Sequence, residues 1–190
     1  MKRSTMVRTL AWILLLVLGA ATSFDAGLLS WQRRAAADAS QASLDGPYFS
    51  DGDQAAEHVI AAINRTRSTL DVAMFDLTHA DITAALDRAR RRGVKIRVVT
   101  DNGQARDLRS QIPYLRSRGI PVRLSGGYRG ERSIMHDKFA VFDRQTVETG
   151  SFNWTSSADR YNFENLIFIS SPAIAARYQS EFERIWAQAR

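Results

Sequence analysis

Between residues 53 and 124 the chain alternates two hydrophobic periods, and that alternation restricts the fold to strands interleaved with helices. Ala55, Ala56, Val59, Ile60 and Ile63 recur at helical spacing and predict a helix from Asp53 to Thr66. Leu70–Phe75 is an apolar run of strand length, and a helix follows from Asp81, with Ile82, Leu86 and Ala89 inward and Gly93 as its stop. Val94–Thr100 is the next strand. Ala105–Arg118 reads as helical despite Pro113, Gly119 closes it, and Ile120–Leu124 is a short strand. Further strands are expected at Phe139–Phe142, Thr146–Thr149 and Asn165–Ser170. A terminal helix over Ala173–Ala187 carries Ile174, Tyr178, Phe182 and Ile185 on one face. This order predicts an α/β fold, a mixed β-sheet sandwiched by helices. The sequence contains no internal repeat.

The N-terminal 45 residues lie outside that pattern. Lys2, Arg3 and Arg8 precede the apolar run Leu10–Ala21, with small residues at Gly19-Ala20-Ala21 and Ala21-Thr22-Ser23. Residues 1–21 therefore read as a signal peptide or an N-terminal membrane anchor, the apolar core being shorter than the roughly 20 residues of a membrane span. The expected location is periplasmic or secreted, or membrane-anchored and facing a non-cytoplasmic space. Residues 22–45, rich in Ala, Ser and Gln, read as linker, and 46–190 as the catalytic domain. The leader holds half of the net charge of +6; the +3 that remains suits a polyanionic substrate and equally serves solubility. The absence of cysteine excludes disulfides, thiolate zinc sites and cysteine nucleophiles. His58, His79 and His136 are scattered without metal-ligand spacing, so neither metal nor cofactor is expected.

One cluster specifies chemistry. His136, Lys138 and Asp143 form an H-x-K-x4-D pattern, followed by Gly150-Ser-Phe-Asn153 and Asn162-Phe-Glu-Asn165. With Met135–Asp143 read as a strand, His136 and Lys138 project from one face, while Asp143 points to the other with Phe139 and Val141. An imidazole beside an ammonium suits a phosphate: the ammonium neutralises its oxygens while the ring nitrogen attacks phosphorus. Ser151 and Asn153 are placed to donate hydrogen bonds to the same oxygens. Glu164 is the carboxylate suited to orient an active-site histidine, and Asp143 is expected to hold groups in place around the site.

These motifs together resemble the phospholipase D superfamily, particularly its small secreted bacterial endonucleases, over residues 46–190. The resemblance implies a phospholipase D-like fold with one half-site per chain, because the family's active site is built from two motif copies. It therefore implies a homodimer. It also implies that His136 is the nucleophile in one subunit and the general acid in the other. Lys138 and Asn153 would bind phosphate, Ser151 would assist, and Glu164 would orient histidine. The implied function is a metal-independent, nonspecific endonuclease on DNA and also RNA, working through a covalent phosphohistidine. Two alternatives stand beside it: a phospholipase D or phosphatidyltransferase acting on phospholipid headgroups, and a non-catalytic nucleic-acid-binding module.

Outside the motifs, Tyr128, Arg129 and Arg132 in a Gly-rich loop before the catalytic strand are candidates for contact with substrate. Trp154 is a candidate for stacking on a base, or for a core or interface role. The run Arg88, Arg90, Arg91, Arg92, Lys95 and Arg97 reads as a solvated face rather than a nucleic-acid stripe. Asp76 and Asp101 follow strands and read as turn or cap residues, and His58 and His79 as structural or solvated.

Overall fold

A computed structural model describes residues 42–129 and 133–190. Its frame is a seven-stranded mixed sheet in the order β1-β7-β6-β5-β2-β3-β4. The strands are β1 (Ser43–Phe49), β2 (Thr69–Met74), β3 (Lys95–Asp101), β4 (Val122–Ser125), β5 (Lys138–Phe142), β6 (Thr146–Gly150) and β7 (Asn165–Ser170). β2, β3 and β4 run parallel, while β5, β6, β7 and β1 continue the sheet by antiparallel pairing. The helices are α1 (Ala55–Arg65), α2 (Ala80–Arg91), α3 (Ile112–Ser117), α4 (Ser156–Arg160) and α5 (Pro172–Gln188).

Strand alternation divides the core between the two faces. Leu70, Val72, Met74, Ala140, Phe142, Leu166 and Phe168 turn toward Val59 and Ile63 of α1 and Ile82 and Leu86 of α2. Ala73, Val99, Phe139, Val141 and Val147 turn the other way, against Ala175, Phe182 and Ile185 of α5. Both sides of β2 and β5 are thus covered, which is why these strands read as continuous apolar runs.

Three local expectations are corrected. The segment 105–118 is not one helix: a 3-10 turn (Gln104–Arg106) and α3 are separated by a loop, with Pro113 in the first turn of α3. Proline lacks the N–H that a helix interior needs and is accommodated in a first turn. The sheet begins before Gly46, since β1 starts at Ser43 and pairs with β7, with an irregular register between Asp45 and Tyr48. Finally, β5 begins at Lys138 and ends at Phe142, so neither His136 nor Asp143 lies in a strand. Asp143 and Arg144 take left-handed φ of 50° and 57° in the tight hairpin joining β5 to β6, where Gln145 N donates to Phe142 O at 2.9 Å.

Candidate active site

Parallel β2 and β3 end, and antiparallel β5 begins, at the same edge of the sheet, and β6 ends there as β7 starts. Lys138 opens β5 opposite Met74, the last residue of β2. Its ammonium lies 3.3 Å from His136 Nε2 and donates to the His136 carbonyl at 3.0 Å. Phe75, just after β2, forms the wall behind both groups. Its ring meets the exposed His136 imidazole edge-on at 4.6 Å, and the Lys138 ammonium stands 5.0 Å from its centroid. Burial lowers the Lys138 pKa from its ordinary value, against the upward pull of Glu164 and Asp137. An ammonium partly stripped of water in this way interacts more strongly with a phosphate oxygen than a fully hydrated one.

The segment ahead of β5 is anchored through its backbone. Met135 N donates to Asp101 Oδ2 at 3.1 Å, and Phe75 N donates to the Asp137 carbonyl at 2.9 Å. The other Asp101 oxygen accepts from Gly103 N at 2.8 Å, so this buried carboxylate ties the end of β3 to the residue before His136.

The second half of the site depends on a close approach of β6 and β7. At Gly150 a Cβ would lie 2.1 Å from the Asn165 carbonyl oxygen. With that space empty, Ser151 N and Phe152 N both donate to Asn165 O, at 3.0 and 3.2 Å. The Ser151 hydroxyl donates to one Glu164 oxygen and accepts from Asn165 N at 3.1 Å. The other Glu164 oxygen accepts from Asn162 Nδ2 at 3.2 Å. Ser50 closes the loop, accepting from Glu164 N at 2.9 Å and donating to the Asn162 carbonyl at 2.6 Å. Asn153 is half-buried, and its Oδ1 has no protein hydrogen bond. Glu164 thus engages Ser151 and Asn162 within its own chain and makes no hydrogen bond to His136.

The sequence-derived set is brought together in part. His136, Lys138, Ser151, Asn153 and Glu164 sit at this edge of the sheet. Asp143 does not: it lies at the other end of β5, roughly 17 Å away for five residues at a strand rise of about 3.3 Å. There its carboxylate accepts from Arg67 N (2.9 Å), Ser68 N (2.7 Å), Ser68 Oγ (2.8 Å) and Thr69 N (3.0 Å), pinning the turn between α1 and β2. Burial pushes its pKa up, but the hydrogen bonds from Thr69, Arg67 and Ser68 outweigh this and hold it below the ordinary aspartate value.

Trp154 cannot stack on a base, because it is fully buried in the core beside α1 and α2. Tyr128 is exposed and lines a cleft of about 400 Å³ with His136, Asp137, Glu181 and Arg184. Arg129 is exposed, with its guanidinium 5.5 Å from the Tyr128 ring centroid. Arg132 lies outside the described residues, as do the leader and most of the linker. Much of the arginine run is structural: Arg90 and Arg91 meet Asp87, Arg92 donates to the carbonyls of Ile63 and Thr66, and Arg97 pairs with Asp71 and Glu183.

Phe75 and Ser50 were not singled out in the sequence as parts of the site, and Asp101 was read as a turn or cap residue. The position of Asp101 at the end of a parallel strand was the available signal; Phe75 and Ser50 carried none. Among the described residues, no group of three or more His, Asp or Glu side chains is placed to hold a metal ion. No helix among them is long and apolar enough to cross a membrane.

A mixed sheet with helices on both faces and a single His-Lys pair at one edge defines a phospholipase D-type half-site. The chain belongs to the phospholipase D-like family of phosphodiester-cleaving enzymes: the family model described as "Cardiolipin synthase, PLD-like domain" matches residues 59–186. Among solved structures it resembles Nuc, a phospholipase D family member from Salmonella typhimurium, with a TM-score of 0.72 and 31% identity, covering 79% of this chain and 97% of that one. NucT from Helicobacter pylori matches with a TM-score of 0.70 and 25% identity, covering 78% and 97%. The mitochondrial cardiolipin hydrolase of Xenopus tropicalis is 38% identical over 138 residues, 72% of this chain and 63% of that relative. The matched part of this chain therefore spans less than two thirds of that relative's length, and 51% of the Chlamydomonas reinhardtii cardiolipin hydrolase.

Proposed function

We infer that the chain is a metal-independent endonuclease that cleaves DNA, and RNA as a second nucleic acid, through a phosphohistidine formed at His136 in a homodimer. The observation that carries this reading is the exposed His136–Lys138 pair, present once per chain, beside a Glu164 that its own histidine does not use. In the first step His136 attacks phosphorus and the P–O bond to the leaving alcohol breaks, with the proton supplied by His136 of a second copy. In the second step that now neutral imidazole takes a proton from water, which displaces the histidine and releases the phosphomonoester. Lys138 offsets charge on the phosphate oxygens, and Glu164 is available to orient the histidine of the second copy. Tyr161 and Phe163, both exposed beside Glu164, give that second copy an apolar rim to cover. The endonuclease assignment draws support from Nuc and NucT, matched over 97% of their length by a single domain of this size.

The cardiolipin hydrolase relatives favour a second reading, hydrolysis of a phospholipid phosphodiester at the same site. The deciding experiment offers the full chain plasmid DNA, single-stranded DNA and cardiolipin vesicles in excess chelator, with His136→Ala as control. Nucleic-acid cleavage that the variant lacks supports the endonuclease. Lipid turnover without nucleic-acid cleavage replaces it with the second reading, and chelator-sensitive activity removes the histidine mechanism. A monomer by light scattering that keeps full turnover at high dilution refutes the dimer.

A further inference from the structure

Glu148 is the one carboxylate of the described domain that the proposed chemistry leaves unused and the core encloses completely, at 0% exposure. Its neighbour Val147 packs toward α5, so strand alternation turns Glu148 to the opposite face. On that face its cross-strand partners are Ala140 of β5 and Phe168 of β7, within the apolar layer that includes Val59 of α1 and Trp154. Neither carboxyl oxygen has a protein hydrogen bond of ordinary geometry, and neither does the indole Nε1 of Trp154, which is also buried. Both polar groups thus lie in the interior on this side of the sheet without an ordinary partner, and burying an unpaired polar group is expensive. Burial raises the Glu148 pKa to about 8, and the Trp154 indole is the group that opposes the rise. The other titratable side chains on the surrounding elements are Glu57, His58 and Arg65 on α1, buried His79 at the start of α2 with its Nε2 3.6 Å from Asp159 Oδ2, Lys138 on β5, and Asp159 and Arg160 on α4.

The location gives this pair a consequence. Trp154 ends the short segment from Gly150 that carries Ser151 and Asn153, and its carbonyl accepts from Thr78 N at 3.0 Å and His79 N at 2.9 Å. Glu148 sits just before the same segment, in β6. We propose that Glu148 and the Trp154 indole form one buried unit that fixes the Ser151–Asn153 segment, making Glu148 a positioning residue for phosphodiester cleavage. The proposal rests on the phosphodiesterase reading of the site. A neutral carboxyl can both accept from the indole and remain uncharged in the core; an ionised one is driven toward water and takes the segment with it. The unit therefore also makes activity fall on the alkaline side.

The test compares the full chain with Glu148→Gln, which keeps an acceptor but cannot ionise, and Glu148→Leu, which removes the acceptor. Each is assayed on DNA and on cardiolipin vesicles from pH 6 to 9, and the Trp154 indole N–H is followed by ¹⁵N NMR, assigned with Trp154→Phe. Glu148→Gln should stay within about threefold of wild type at pH 6.5 and show a smaller decline than wild type above pH 8, what remains belonging to the Lys138 ammonium. Glu148→Leu should lower kcat by roughly 10- to 100-fold, as a small displacement of positioning groups does, with a smaller change in KM. It should also shift the indole resonance, and Glu148→Leu/Trp154→Phe should recover part of the lost kcat. Equal kcat in wild type and Glu148→Leu with an unmoved indole resonance overturns the proposal, as does an identical alkaline decline in Glu148→Gln. A wild type inert toward both substrates overturns the enzyme reading and the positioning role with it. An active wild type with unaffected variants overturns the positioning role alone.

Discussion

Gly150→Ala tests whether the β6–β7 approach builds the site. The added Cβ would lie 2.1 Å from Asn165 O, 2.8 Å from Leu166 Cα and 2.9 Å from Asn165 C, all backbone atoms with no flexible end to move aside. Restoring ordinary contact requires β6 to withdraw by roughly 1 Å or more. That movement breaks the two amide hydrogen bonds on Asn165 O, each worth about 1 kcal/mol, and adds an overpacking cost of about 1–3 kcal/mol. The expected loss of about 3–5 kcal/mol is survivable for a domain in the upper part of the usual stability range of about 5–15 kcal/mol. Catalysis is more sensitive, since Ser151 follows Gly150 directly and Glu164 is held through it; a shift of about 1 Å corresponds to roughly 100-fold in turnover. Urea unfolding followed by circular dichroism measures the first effect and phosphodiester turnover the second. Gly52→Ala, whose Cβ meets nothing within 4 Å, serves as the neutral control. If Gly150→Ala matches that control in both stability and turnover, the β6–β7 approach does not build the site.

Three further outcomes are expected. Asp143→Ala should lower stability by about 1–3 kcal/mol through loss of its hydrogen bonds to Arg67, Ser68 and Thr69, yet leave kcat of the folded fraction unchanged; because the folded pKa is depressed, its stabilisation is present above the unfolded aspartate value and lost as pH falls, which acid titration of Asp143→Asn would show as a shallower decline. Asp71→Ala removes a buried carboxylate that accepts from Arg97 at 2.7 and 2.8 Å and from Gln179 at 2.7 Å, and should cost about 2–3 kcal/mol in chemical denaturation, against less than about 1 kcal/mol for Glu183→Ala, whose carboxylate is largely solvated. The Glu148 carboxyl keeps its proton to about pH 8 in the folded chain but loses it near 4.5 when unfolded, so wild-type stability should fall with rising pH across that window. The fall should be about 1.4 kcal/mol per pH unit, on the order of 3–5 kcal/mol in all, and absent in Glu148→Gln; parallel slopes from pH 5 to 8 would contradict it.

Where burial enforces a period, the sequence reveals the element. The β7 bounds, Asn165–Ser170, coincide with the expected ones, and α1, β2, α2 and β3 differ by only a residue or two at most ends. β1 was concealed because it is an exposed edge strand interrupted by Gly46-Pro47, and it lacks the alternation that a half-buried strand carries. The site follows the same division. His136, Lys138, Ser151, Asn153 and Glu164 are recognisable because their chemistry is unusual at that spacing. Phe75, Ser50 and Asp101 act through a ring face, a hydroxyl bridge and a backbone amide, and these depend on which loops meet rather than on residue type. Asp143 shows the converse: a motif position next to chemistry in sequence holds an α1–β2 turn at the far end of its strand.

Substrate choice resides outside the His136–Lys138 pair. In the proposed mechanism His136 and Lys138 act on phosphorus and its oxygens, which nucleic acids and phospholipids share, so these groups would not discriminate between the two. Nor is the basic surplus a ready footprint for polyanions, because many of its arginines are already engaged: Arg90 and Arg91 with Asp87, Arg92 with helix-end carbonyls, Arg97 with Asp71, Arg109 with Asp107 and Arg184 with Glu181. What differs between a DNA groove and a lipid surface must be read by the groups around the His136–Lys138 pair. Those include the exposed Tyr128 and Arg129 on one side and Tyr161 and Phe163 on the other. A ring can stack on a base, insert among acyl chains or pack against a second copy, and each use requires a different neighbour for the same aromatic face. Substitutions at this rim should therefore redistribute activity among phosphodiesters, whereas those at Gly150 or Asp101 should lower it toward all of them.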